Sequence, residues 1–323
     1  MVGRSVGLML VAGVIASTSL AHADDNDIVL GRLATRVTDG GGNLTRVVPQ
    51  NLELRALASQ LGVALAPHLL TPADTIGFGG FQFTVDYSAT TIDAGEGYWR
   101  ARAGDPDRAS DMLQTIGLFA RKGMWFPVPS FEVGAGAVHL LDSSIWTGQL
   151  YAKLGLHEGY RSLPIPSVAV RGAVSRMMTQ RELDLTVASL DVTVSKHLGV
   201  GGTWRLDPYA GWNLLMIIPR SEVIDPTPHV DQREPGNEMD GELNFVFREQ
   251  DTITRHRFFL GAKFQYHVFQ LTVEAMVALP GRSVDDVAGT DDVCMPNSTT
   301  VACDAEDTAS SQRTLSLSAG FDF

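Results

Sequence analysis

Arg257-Phe-Phe-Leu-Gly-Ala-Lys-Phe-Gln-Tyr266 is the stretch of this chain that decides its fold. Every second side chain in it is apolar: Phe258, Leu260, Ala262, Phe264 and Tyr266. Successive side chains of a β-strand point to opposite faces, so this alternation predicts a strand with one apolar and one polar face. The same pattern recurs at four other places in the chain: 81–87, 146–157, 271–277 and 315–323.

These predicted strands differ from those of a soluble β-sandwich. They run for about ten to fifteen residues, whereas strands of soluble proteins usually have five or six. Charged residues recur near the centres of their polar faces: Lys153, Arg171, Asp191, Arg257, Lys263 and Glu274. Aromatic residues flank the apolar face at strand ends: Trp125, Phe126, Trp146, Trp204, Tyr266 and Phe323. The combination predicts a transmembrane barrel with lipid outside and a polar lumen inside.

Ten strands are predicted, at about 76–90, 111–123, 130–142, 145–158, 166–179, 182–197, 202–218, 252–266, 268–281 and 312–323. The longest connections, 91–110, 219–251 and 282–311, would all lie on one side of the membrane, with short turns on the other. Transmembrane barrels show this asymmetry together with an even strand number. The fold class is therefore all-β, an antiparallel barrel. Eight or twelve strands are the alternatives, because 242–247 could contain part of another strand.

The chain before the barrel has two predicted parts. Residues 1–23 combine Arg4, a short apolar stretch and Ala21-His-Ala23, which is typical of a signal peptide cleaved near Ala23. Residues 24–75 contain the one amphipathic helix, predicted from Leu52 to about Gly62 with Asn51 as its N-cap. This segment is either a lumen plug, a periplasmic cap or a small helix packed at the edge of the domain. The barrel then covers 76–323.

Composition narrows the function classes. The chain has 323 residues with a formal net charge of −12, which disfavours a nucleic-acid partner because no basic face is available for phosphates. No apolar run after the first twenty residues reaches about 18, so a bundle of transmembrane helices is excluded. Cys294 and Cys303 predict a local disulfide in an exported protein, and a metal site there would have too few ligands.

The C-terminal sequence Leu315-Ser-Leu-Ser-Ala-Gly-Phe-Asp-Phe323, the signal peptide and the amphipathic strands together resemble Gram-negative outer-membrane β-barrel proteins. The resemblance covers about 76–323. It implies location in the bacterial outer membrane, contact with outer-membrane lipid, and assembly by the barrel-insertion machinery. Phe321 and Phe323 would then act as the assembly signal that this machinery binds.

The leading functional prediction is a protein without enzymatic activity, either a narrow channel for a small solute or a structural surface module. In a barrel of this size the predicted lumen charges would pair with one another or select solutes. The outer loops are acidic, which favours a solvated surface over a calcium site because no EF-hand pattern is present. We predict neither a cofactor nor a metal.

Two alternatives remain open at this stage. Ten-stranded outer-membrane proteases use Asp and His residues at the outer rim, and His229-Val-Asp231 could form such a pair. A lipid-modifying barrel would use a histidine near the lipid, for which His139 and His256 are candidates by position only. The other alternative is a secreted soluble β-protein, which would be recovered without detergent.

Overall fold

The structure is a computed structural model that describes residues 24–105, 110–126, 128, 130–158, 165–200, 203–230, 240–284 and 306–323. The predicted signal peptide, the predicted disulfide between Cys294 and Cys303, and Asp231 lie outside these residues. Among the described helices, none has the length and apolar composition needed to cross a membrane.

The elements follow one another as one hairpin, one helix and the strands of one large sheet. They are β1 (Ala34–Thr38), β2 (Leu44–Pro49), α1 (Asn51–Leu65), β3 (Phe81–Thr91), β4 (Met112–Met124), β5 (Phe131–Leu140), β6 (Trp146–His157), β7 (Ser167–Met177), β8 (Leu183–Ser195), β9 (Leu198–Val200), β10 (Trp204–Ser221), β11 (Ile253–Tyr266), β12 (Phe269–Ala278) and β13 (Gln312–Asp322). Short 3₁₀ turns occupy Leu30–Leu33, Gly97–Ala101 and Asp240–Leu243.

Ten long strands, β3 to β8 and β10 to β13, form a closed antiparallel barrel. Strand β13 pairs with β3, and β10 pairs with both β8 and β11, so the sheet has no open long edge. The three-residue β9 pairs only with the start of β10. The predicted ten-strand barrel is confirmed, against eight or twelve strands. Residues 242–247 do not add a strand, since Phe245 makes only an isolated bridge to Ile224.

The two ends of the barrel differ in the length of their connections. We call them the terminal end and the distal end, after the position of the chain terminus. At the terminal end, where β3 begins and β13 ends, the main chains of Phe81 and Phe323 exchange two hydrogen bonds of 2.9 and 2.8 Å. The connections at this end are short: 125–130, 158–166, 196–203 and 267–268. The opposite, distal end carries the longest connections: 92–111, 222–252 and 279–311.

The outward face of the barrel is apolar and exposed. Leu260, at the middle of β11, is 65% exposed, and Leu150 and Leu315 are similarly open. Aromatic rings stack on this face towards both ends, with Trp204 on Tyr266 at 4.2 Å near the terminal end and His139 on Trp146 at 4.5 Å near the distal end. The burial pattern is therefore inverted relative to a soluble protein, with polar side chains inside and apolar ones outside.

Helix α1 lies inside the distal half of the lumen. Thirteen of its fifteen residues are buried, and only Leu52 and Glu53 in its first turn reach solvent. Its apolar residues pack in a socket formed by inward-facing side chains of the wall: Leu183, Leu185, Val187, Leu215, Ile217 and Ile253. Gly62 lies so close to β10 that a Cβ atom there would be 2.7 Å from Ile217, which accounts for a glycine within a helix.

Residues 24–49 lie at the distal end, outside the lumen. The main-chain N–H of Asn26 donates to Asp142 between β5 and β6, and Val29 donates to Ala101 between β3 and β4. The hairpin of β1 and β2 follows, and its turn at Asp39 is closed by hydrogen bonds from Gly41 and Asn43. These hydrogen bonds lower the pKa of Asp39, and the hydrogen bond from the Asn43 side chain lowers it most.

The chain crosses the lumen between the hairpin and the first barrel strand. We call residues 51–76, which comprise α1 and the irregular segment after it, the plug. Successive residues of the plug contact the wall at successive levels of the barrel. Leu65 is hydrogen-bonded to Gln149 and Ser175, and Ile76 is hydrogen-bonded to Glu132. The plug then leaves through a turn with positive φ at Gly77 and Gly79, and β3 begins at the terminal end.

Candidate functional site

The candidate site is the polar half of the lumen, beside the irregular part of the plug. Neighbouring strands place six inward-facing side chains directly opposite one another in a single line. We call this line the charge row: Glu132, Lys153, Arg171, Asp191, Asn213 and Arg257. Directly opposed side chains of an antiparallel pair are about 4.5–5.5 Å apart at Cβ, which is close enough for paired charges to bond.

The charge row contains two pairs of opposite charge, although Lys153 and Arg171 between them are both cations. Lys153 Nζ lies 3.1 Å from Glu132 Oε2, and Arg171 Nε lies 2.5 Å from Asp191 Oδ2. Asn213 donates to the other oxygen of Asp191 and accepts a 2.7 Å hydrogen bond from Arg257 Nε. These charged side chains are all nearly or fully buried, so the pairing offsets a desolvation cost that an isolated charge would carry in full.

The other two predicted lumen residues also face inward, away from the charge row. Lys263 Nζ binds Asp322 Oδ2 at 3.0 Å near the terminal end. Glu274 accepts a 2.9 Å hydrogen bond from the Tyr209 hydroxyl. All six lumen residues named from the sequence are thus buried side chains of the barrel interior, and four of them belong to the charge row.

Sequence reasoning missed several members of this network. Arg121 donates to Gln82 and Thr84 at 2.9 Å and lies 3.5 Å from Asp86, and Glu132 and Asn213 complete the charge row. Arg121 and Glu132 lie within the predicted strands 111–123 and 130–142, so following the alternation residue by residue would have placed them on the inward face. Asn213 as the link between Asp191 and Arg257 depends on the strand register, for which the sequence alone carries no signal.

The polar side of α1 is fixed to the distal loops. Gln60 donates to the Tyr98 hydroxyl at 2.8 Å and accepts from Trp99 Nε1 at 2.7 Å. Ser59 donates to Asp307 at 2.6 Å and accepts from Arg255 at 2.7 Å. Burial, followed by the nearby carboxylates of the same loop, raises the pKa of Tyr98, so its hydroxyl remains a neutral acceptor for Gln60.

The plug leaves little free space in the lumen. A cavity beside His68, Asp86 and Gly117 has a volume of about 10 Å³, which is at or below the volume that one water molecule needs. A larger cavity of about 260 Å³ opens at the terminal end and is closed on its inner side by Pro72 and Asp74 of the plug. The arrangement can hold a polypeptide and block solutes.

The other sequence-predicted candidates lie elsewhere. His229 is exposed in the connection between β10 and β11. His139 and His256 lie on the outward face, stacked on Trp146 and Trp212, respectively. Among the described residues, one histidine forms a close pair with a buried carboxylate, His197 with Asp207 at 2.6 Å near the terminal end. Within the same described part, no cluster of three or more metal-ligating side chains occurs.

Phe321 and Phe323 lie at the terminal end of β13. Their rings are 6.3 Å apart, and Phe321 contacts the ring of Phe269 at 6.4 Å on the outward face. The main chain of Phe323 pairs with Phe81, so this residue also takes part in closing the barrel.

The sequence matches no protein-family model and no curated protein. Similar solved structures include Ail, the attachment invasion locus protein of Yersinia pestis, at 10% identity and a TM-score of 0.28 over 76% of this chain and 99% of that one. Neisserial surface protein A is similar at 9% identity and a TM-score of 0.30, over 75% of this chain and 94% of that one. Outer membrane protease OmpT from Escherichia coli is similar at 9% identity and a TM-score of 0.32, over 76% of this chain and 95% of that one. Likenesses at this level carry no information about function.

Proposed function

We propose that this protein is an integral outer-membrane barrel that is closed to solutes by its own plug and serves as a structural surface module. The exposed apolar wall, with aromatic residues towards both ends, supports a location in lipid. The short connections of the terminal end are typical of the periplasmic side, which supports an orientation with the distal end outside the cell. Residues 24–49 then belong to the outer surface.

The observation that carries this proposal is the filled lumen. Helix α1 fills the distal half, and the rest of the plug is hydrogen-bonded to charged side chains of the wall and to the neutral Ser195 in the other half. A solute would have to displace this whole segment, because the cavity left beside His68 is about 10 Å³. The closed barrel is therefore favoured over the narrow channel.

Planar-bilayer conductance tests the closed state. We expect the full-length protein to show no channel events above background, under conditions in which a known porin conducts. Replacing Leu57 and Leu61 of α1 by Asp should produce channel openings, since both side chains are fully buried in the apolar socket. Leu52→Asp is the matched control on the same helix, because Leu52 is exposed. Steady, porin-like conductance of the unaltered protein would contradict the proposal.

The aromatic end of β13 leads to a second test. We expect Phe323→Ala to reduce the amount of folded protein in the outer membrane several-fold, while the purified variant refolds in detergent with nearly unchanged stability. The substitution keeps the main-chain bonds to Phe81 and removes only the ring proposed as the assembly signal. Phe323→Tyr, which keeps an aromatic ring, is the control. Equal membrane levels of the Ala variant and the unaltered protein would refute this role.

A further inference from the structure

The segment of the plug from Leu65, the last residue of α1, to Ile76 is held in the lumen mainly through hydrogen bonds of its backbone. Its carbonyl oxygens accept hydrogen bonds from cationic side chains of the wall. Arg257 donates to Pro67 at 2.8 Å, Arg171 donates to His68 at 2.9 Å, and Lys153 donates to Pro72 and Asp74 at 3.3 and 3.0 Å. The Leu65 carbonyl accepts from the neutral side chains of Gln149 and Ser175.

The backbone N–H groups of the same segment donate to acceptors on the wall. Leu70 donates to Glu274 at 3.2 Å, and Ala73 donates to Ser195 at 3.1 Å. Thr75 and Ile76 donate to Glu158 and Glu132 at 3.2 and 3.0 Å. The wall therefore offers donors to carbonyls and acceptors to N–H groups along the whole segment, which is the pattern needed to bind a peptide main chain.

Side chains of the segment contribute fewer contacts. Three of them hydrogen-bond to the wall: His68 with Ser88, Thr71 with Lys153, and Thr75 with Glu158. Three leucines are apolar anchors: Leu65 belongs to the apolar cluster around α1, Leu69 packs with Tyr209, Phe259 and Met276, and Leu70 is also buried. Pro67 and Pro72 have no N–H group, so they reduce the number of donors that need a partner inside the barrel.

We propose that the polar half of the lumen is a binding site for a polypeptide main chain, occupied here by residues 65–76 of the same chain. A second peptide with aliphatic residues at the positions of Leu65, Leu69 and Leu70, and otherwise varied side chains, would compete for it. The inference deepens the proposed function, since it rests on the plug filling the lumen. It adds that residues 65–76 are an exchangeable ligand, whose hydrogen bonds to the wall are made largely by main-chain groups that every peptide carries.

The test uses the full chain with a cleavage site for a specific protease inserted between Gly79 and Gly80. Phe78, in this turn, is 82% exposed, so the protease can reach it in the folded barrel. After cleavage in mild detergent, we expect the plug fragment to comigrate with the barrel on gel filtration. A fluorescent synthetic peptide of residues 50–76 should then exchange into the barrel and be displaced by the unlabelled peptide.

Two altered peptides separate main-chain from side-chain recognition. Replacing His68, Thr71 and Thr75 by Ala removes the side-chain hydrogen bonds, and we expect affinity within a few-fold of the original. Replacing the amides of Leu70 and Ala73 by esters removes two N–H donors while keeping the side chains, and we expect a loss of about tenfold or more. Ester peptides that bind as well as amide peptides would overturn the proposal.

The barrel side of the contact is tested with Arg257→Gln, which loses the bond to the Pro67 carbonyl and leaves no carboxylate without its direct partner. It should release the cleaved plug faster, whereas Arg176→Gln, on the outward face of β7, should not. As a check without cleavage, the amides of Leu70, Ala73, Thr75 and Ile76 should be protected from hydrogen exchange in the intact chain. Exchange at free-peptide rates would refute the site. Channel events in the intact protein would contradict the closed state, a result separate from these readouts.

Discussion

Replacing Asp191 by Asn is expected to lower the free energy of unfolding by about 3–5 kcal/mol. Asp191 is the partner of Arg171 in the charge row, and both side chains are almost completely buried, at 1% and 2% exposure. The substitution keeps the shape of the side chain and removes its charge. Arg171 would then remain in the lumen without its direct counter-ion, and the desolvation of its charge would no longer be offset.

The same two strands provide the control. Arg176 on β7 and Asp184 on β8 form a pair at 2.8 Å with 67% and 31% exposure, so Asp184→Asn should cost less than about 1 kcal/mol. Urea unfolding in detergent micelles measures both values. The double variant Arg171→Met and Asp191→Leu should recover much of the stability, since it leaves no buried charge of the pair. Equal losses for Asp191→Asn and Asp184→Asn would show that the charge row is not desolvated.

The barrel could be predicted from single strands because each carries the same alternation. Phe258 to Tyr266 already distinguish an apolar outer face from a polar inner one, and the loop lengths independently supported ten strands. The same alternation also predicts that Lys153, Arg171, Asp191 and Arg257 face the lumen. The alternation within a strand does not give the register between strands. The pairing of Asp191 with both Arg171 and Asn213 could therefore not be derived.

The sequence predicts the helix and offers the lumen as one of three places for it, but it does not predict an apolar lumen wall around the helix. The alternation predicts a polar lumen, whereas the distal half of the lumen is apolar and encloses α1. One signal was present: residues 214–218 of β10 are all apolar, and the inward side chains of β8 change from Leu183 and Leu185 to Ser189 and Asp191 along one face. A wall that is apolar on both faces indicates a packed element inside as well as lipid outside.

The polar side of α1 shows why local pattern alone was insufficient. An amphipathic helix predicts one side in water, yet Arg55, Ser59 and Gln60 are buried. Their partners come from distant loops, such as Tyr98, Ser283 and Asp307. Contacts between residues separated by 38 to 248 positions depend on barrel closure and carry no short-range sequence signal.

Replacing Leu260 by Arg is expected to destabilise the protein by about 2–4 kcal/mol in a lipid bilayer. Leu260 lies at the middle of β11 on the outward face, opposite Ala210 and Ala275 of the neighbouring strands. If lipid covers this face, an arginine there must either lose its hydration or deform the bilayer. If water covered it, an exposed substitution of this kind would change stability by no more than about 0.5 kcal/mol.

Thr254→Arg is the matched control, because Thr254 is exposed on the same face of the same strand but lies beside its distal end. The cost of a charge falls to about 0–1 kcal/mol near the membrane interface, so the two variants should differ by at least 1 kcal/mol in unfolding from liposomes. This difference depends on depth, which only a surrounding bilayer imposes on an outward-facing strand. Equal effects of the two substitutions, together with a monodisperse protein in buffer without detergent, would mean that water and not lipid contacts the apolar wall.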